Sequence, residues 1–99
     1  MRVRWTRPAL KDLDDIENYI ALDDAGRAAN FIDKLIDLGE SLEFDWERGT
    51  QAKWTKDTRI REIYYHNYTI IYEIMEDEIQ IHEVHNSAKM IRHFNSSLT

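Results

Sequence analysis

The stretch Arg59–Lys89, RIREIYYHNYTIIYEIMEDEIQIHEVHNSAK, limits what this chain can fold into more than any other. It is dense in Ile, Tyr, Thr and Val, side chains that suit a pleated, half-buried surface. It divides into three consecutive antiparallel strands, Ile60–His66, Tyr68–Met75 and Glu78–Val84. Asn67 marks the first turn, because Asn tolerates positive φ and bonds its own backbone. Glu76-Asp77 closes the second. In the middle strand Tyr68, Ile70, Tyr72 and Ile74 share one side, and Thr69, Ile71, Glu73 and Met75 the other. Both sides are largely apolar, which predicts a central strand covered on both faces.

The residues before it supply the cover. Val3 and Trp5 alternate with Arg2 and Arg4 in a short first strand. Thr6 is placed as an N-cap and Pro8 falls in the first helical turn, where its missing N–H does no harm. Ala9, Leu13, Ile16 and Ile20 give one apolar stripe on a helix reaching about Leu22. Asp12, Asp14, Asp15 and Glu17 are read as a solvated face beside that stripe. Asp23 or Asp24 caps a second helix, Ala25–Phe44, with Ala28, Ile32, Leu35 and Leu42 inward and Phe31 and Leu38 at the edge. Gly39 shares the inner face, and a close helix crossing is the expected reason. The short connection makes the helices an antiparallel hairpin. Asp45–Thr58 is irregular and sets Trp46 and Trp54 among Arg48, Lys53 and Lys56. Such a mixture either stacks and charges a site for single-stranded nucleic acid or plugs the edges of a small core. A short helix is expected at Ser87–Phe94, with a flexible tail from about 95 to 99. The order of strand, two helices and a three-strand meander predicts one α+β domain over residues 1–99, a helical hairpin packed on a mainly antiparallel sheet.

Several function classes drop out. The chain has no cysteine, so neither a disulfide framework nor a thiolate metal site is available. No metal and no cofactor is expected. No apolar run approaches the roughly 18 residues of a membrane span, and the start has no signal-peptide core. The expected location is cytoplasmic. Net charge is −6 but uneven: residues 1–47 hold six basic and twelve acidic groups, and residues 62–86 hold six acids and no Lys or Arg. Residues 48–61 carry five basic groups and one acid, and the tail adds Lys89 and Arg92. An anionic partner should therefore meet the connector and the tail.

Three motifs in order resemble the RelE/ParE superfamily of toxins from bacterial type II toxin–antitoxin systems. The first is Trp5-Thr6-Arg7-Pro8-Ala9-Leu10-Lys11-Asp12-Leu13-Asp14-Asp15-Ile16, with Tyr19-Ile20-Ala21 after it. The second is Arg61-Glu62-Ile63 followed by Tyr68-Thr69-Ile70-Ile71-Tyr72-Glu73. The third is Ile79-x-Ile81 leading to Val84-His85. The resemblance covers nearly the whole chain and implies a β-α-α-β-β-β fold and a toxin held in a hetero-oligomer with a cognate antitoxin. It also implies contact with DNA only through that antitoxin. ParE-type members are known as DNA gyrase inhibitors, RelE-type members as ribosome-dependent mRNA endoribonucleases.

Metal-free RNA cleavage needs a group to activate the 2′-OH, a cation for the developing phosphate charge and an acid for the leaving oxygen. By the resemblance, Arg61 is the candidate phosphate clamp, His85 the candidate acid or base, and Lys53 and Lys56 stand where ribosome-dependent members supply lysines. No tyrosine follows Tyr72, and His93-Phe94 resembles a His-Tyr ending without its hydroxyl. The acidic balance also departs from a superfamily that is commonly basic. The expectation is therefore a ParE-like toxin that binds a topoisomerase, with Lys53, Lys56, Arg61, Lys89 and Arg92 as candidate partner contacts. The alternatives are an mRNA endoribonuclease acting on ribosome-bound mRNA, and a degenerate toxin that only binds its antitoxin.

Overall fold

The computed structural model describes residues 1–88. Its elements run β1 (Arg2–Trp5), α1 (Arg7–Ala21), α2 (Ala25–Glu40), a 3-10 turn (Ser41–Glu43), β2 (Thr50–Gln51), β3 (Ile60–Tyr65), β4 (Tyr68–Ile74) and β5 (Glu78–Asn86). The five strands lie in the order β1-β5-β4-β3-β2. All pairings are antiparallel except β1 with β5, which is parallel with Val3 opposite Ile79. This is the expected α+β arrangement of two helices on a mainly antiparallel sheet.

β4 is central and buried on both faces, as its two apolar sides require. Towards the helices, Ile70 and Tyr72 join Leu13, Ile16, Ile32, Leu35, Ile79 and Ile81 in the main core. Behind the sheet, Ile71 packs with Ala52 and Ile60, and Trp54 leans on them. The connector thus wraps the back of the sheet. Trp46 packs on the main core and Trp54 on the small one, where its indole N–H donates to Glu62 at 3.1 Å. Packing occupies both indoles.

Capping fixes the helix starts. Thr6 accepts from the Ala9 N–H at 3.4 Å and donates to Ile81 O at 2.9 Å, so one hydroxyl caps α1 and ties it to β5. Asp24 rather than Asp23 caps α2, accepting from the Arg27 N–H at 3.0 Å.

Local expectations fail in six places. α2 stops at Glu40, and a 3-10 turn replaces the helix expected through Phe44. The turn between β3 and β4 puts His66, not Asn67, at positive φ, 53°. There His66 meets the Tyr65 ring edge-on at 4.4 Å and lies 6.1 Å from Phe31. Gly39 faces the sheet instead of the other helix: a Cβ there would lie 2.5 Å from Trp5 and 2.9 Å from Ile81. Asp12 is buried, not solvated, and accepts from the Val84 backbone N–H at 2.9 Å. β2 adds a fifth strand to a segment read as irregular, and β5 runs two residues beyond Val84. Ser87 and Ala88 form a turn, and the rest of the helix expected to Phe94 lies outside the described residues, as do Lys89, Arg92 and the 95–99 tail.

Candidate functional site

Alternation along β3 and β4 sorts the candidate residues by face. Arg61 pairs with Tyr72, which points into the core beneath the helices. His85 pairs with Thr69, three residues earlier on β4 and therefore on the opposite face. β4 lies between their two strands. One phosphodiester cannot be reached from both sides of a sheet, so Arg61 and His85 do not form one acid–base and charge-stabilising set.

Arg61 is engaged with backbone. Its Nη1 donates to Gly49 O at 2.7 Å and to Glu47 O at 3.3 Å. Beside it, the Tyr72 hydroxyl donates to Trp46 O at 2.9 Å and accepts the Gly49 N–H at 2.9 Å. Burial pushes the Tyr72 hydroxyl pKa above its ordinary value, against the Gly49 hydrogen bond and the nearby Arg61 charge. A Cβ at Gly49 would sit 2.6 Å from both Glu62 O and the Tyr72 hydroxyl, so only glycine allows this approach.

The other cations of the connector divide in two. Arg59 is held by Asp57 through Nε and Nη2, at 3.0 and 2.9 Å, and reaches Glu73 at 3.6 Å. The side-chain bond from Arg59 is the main cause that holds the Asp57 carboxyl below the usual carboxylate range. Lys53 and Lys56 are exposed and form no ion pair among the described residues. They line a shallow depression of about 660 Å³ with Thr50, Gln51, Ala52 and Thr55. The positive segment visible in the sequence thus shrinks to these two lysines plus Arg48, whose Nη1 donates to Ser41 at 3.3 Å.

At the tip of the helical hairpin Tyr19 is 70% and Leu22 86% exposed. With Ile20, Asp23 and Arg27 they line a second depression of about 420 Å³. Arg27 bonds Asp23 across one turn, and Lys11 bonds Asp15 at 3.0 Å. Asp14, Asp33, Asp37 and Glu40 remain exposed, so the outer helical layer is acidic.

The model of the ParE toxin of the type II toxin–antitoxin system parDE matches residues 3–90. The chain belongs to the ParE toxin family. A chain from the solved structure "Chromosomal ParDE TA system from P. aeruginosa" has the same fold as this ParE-family toxin. Its TM-score is 0.73 at 21% identity, over 87% of this chain and 95% of that one. No curated protein matches significantly. Membership of the ParE family implies an antitoxin partner. Among the described residues of this toxin, no helix is long and apolar enough to cross a membrane.

Sequence reasoning located Arg61, His85, Lys53 and Lys56 but missed Tyr72 and Gly49 as parts of one arrangement with Arg61. The signal was present. A glycine in a Gly-poor chain marks a close backbone approach, and a tyrosine on the inner face of a central strand needs a partner for its hydroxyl.

Proposed function

We propose that this ParE-family toxin arrests growth by binding a topoisomerase, DNA gyrase, and that its cognate antitoxin neutralises it. The placement of Arg61 and His85 on opposite faces of the sheet carries this reading. It separates the arginine and the histidine on which the nuclease alternative chiefly relies for charge stabilisation and proton transfer. The absence of any tyrosine after Tyr72 points the same way. Lys53 and Lys56 are accessible for charge-complementary contact with a protein surface, which sets encounter and register. Lys89 and Arg92, outside the described residues, remain candidates for the same role.

The exposed Tyr19 and Leu22 support a second contact, in which an apolar helical face of the antitoxin seats beside the helical hairpin. The acidic outer layer of α1 favours an antitoxin segment with Lys or Arg facing it. Co-expression with the neighbouring reading frame, followed by pull-down, tests this contact. A toxin indifferent to that neighbour would sink it.

The target is tested with a purified supercoiling reaction run beside primer extension on ribosome-bound transcripts. Inhibited supercoiling with intact transcripts is the expected result. Codon-positioned cleavage that disappears in His85→Ala would establish the endoribonuclease instead. Neither effect, with antitoxin binding retained, would leave a toxin that only binds its antitoxin.

A further inference from the structure

The segment from Asp45 to Gly49 has little backbone bonding of its own. The Arg48 N–H reaches Asp45 O at 3.2 Å before β2 begins. What fastens it comes from side chains of the sheet. Arg61 on β3 and Tyr72 on β4 are ladder partners. Between them they satisfy the carbonyls of Trp46, Glu47 and Gly49 and the N–H of Gly49. Tyr72 is fully buried, and Gly49 has no room for a side chain. Past this anchored point the chain enters β2, then turns behind the sheet with Lys53 and Lys56.

We propose that Arg61 and Tyr72 form a latch on the connector, and that Arg61 is a positioning residue which acts by fixing where Lys53 and Lys56 stand. The latch deepens the gyrase-binding reading and rests on it only for the identity of the target. Arginine suits the role because its rigid planar guanidinium aims the Nη1 donors at both carbonyls, whereas a lysine would offer a compact, freely rotating charge. Tyr72 cannot touch any partner, since none of its surface is exposed. That makes it the discriminating position. A residue acting by direct contact is indifferent to Tyr72, whereas a latch fails when either half is removed.

Amide exchange followed by NMR, together with growth arrest on expression without antitoxin, tests the latch. The variants are Arg61→Ala, Arg61→Lys, Tyr72→Phe and Arg61→Ala/Tyr72→Phe. The readout amide is that of Arg48, which bonds neither latch residue, taken relative to Ile70 in the core. Each of Tyr72→Phe and Arg61→Ala removes two hydrogen bonds to the segment, and each should speed Arg48 exchange by at least about tenfold, the scale set by one such bond. Both should weaken growth arrest, and the double variant should be little worse than the weaker single one. Arg61→Lys should fall between wild type and Arg61→Ala. Arrest abolished by Arg61→Ala with Arg48 exchange unchanged would mean direct contact and overturn the latch. Faster exchange in Tyr72→Phe with full arrest would overturn it too. Wild-type protein that arrests growth without inhibiting supercoiling would overturn the gyrase reading instead, and the latch would still be judged on arrest.

Discussion

At Gly39 an added methyl group would lie 2.5 Å from the Trp5 ring and 2.9 Å from Ile81. Alanine inside a helix normally gains about 1 kcal/mol over glycine, but overpacking costs about 1–3 kcal/mol. Because the obstacle is an indole wedged between strand and helix, the clash wins. Gly39→Ala should lower stability by about 1 kcal/mol in denaturant melts. Gly26→Ala is the control, since its Cβ would meet only Asp24 at 3.4 Å, and it should stabilise by about 0.5 kcal/mol. Glu78 makes the second residue-scale case. Gln80 donates to it at 2.7 Å, and Arg4 and Arg2 each at 3.0 Å. Together, in that order of weight, they bring its pKa from 4.5 to about 2 against the effect of burial. A depressed carboxylate stabilises the fold above its unfolded pKa. That contribution is complete above about pH 5 and lost as pH falls from 4.5 to 2. Glu78→Gln should flatten this part of the acid-unfolding curve, and an unchanged curve would put the acid sensitivity elsewhere.

Among elements, β4 and α1 carry the most testable assignments. Ile70 is fully buried at the centre of β4, and Ile70→Ala should cost about 2–5 kcal/mol by leaving a cavity. Asp12 on α1 accepts from the Val84 N–H of β5. Asp12→Ala should therefore cost about 1–3 kcal/mol, while Asp14→Ala, on the exposed side, should fall within about 0.5 kcal/mol of wild type. The comparison shows where the sequence was legible. Periodicities of 2 and 3.6 carry enough information to place β3, β4, β5 and both helices, because burial repeats along them. They cannot place Asp12, since a carboxylate beside an apolar stripe looks solvated until the strand that offers it an N–H is known. β2 was invisible for a related reason: two exposed residues, Thr50 and Gln51, pair with β3 and leave no alternation to read. His66 holds the positive φ next to Asn67, and since His, like Asn, enters that region more readily than most residues, propensity alone does not choose between the two.

At the scale of the whole molecule, a net charge of −6 is combined with two exposed lysines on one depression. Nonspecific attraction to nucleic acid is weak for such a surface, since counterion release needs many phosphate contacts at once. Focused attraction to an acidic protein patch is not, and it acts mainly on association rate. Lys53→Glu/Lys56→Glu should slow association with the target and flatten its salt dependence, with little change in folding stability. Surface plasmon resonance across ionic strength would report it, and an unchanged association rate would remove the depression from the target interface. The faces of Arg61 and His85 were likewise beyond the sequence. Both belong to motifs with the right order, and only the register of three strands shows that the sheet separates them.

The parallel pairing of β1 with β5 has a consequence for timing. Arg2 to Trp5 find their ladder partners at Glu78 to Ile81, across almost the entire described chain. Thr6 and Asp12 bond β5 as well, at Ile81 and Val84. A nascent chain that has been translated only as far as Met75 thus has two helices and a hairpin but no strand to join them. Loop closure over so long a separation must precede any reward from the contacts. Assembly is therefore deferred until β5 has emerged from the ribosome. Until then the core beneath the helices stays open, and whatever poison the finished protein carries is not yet made.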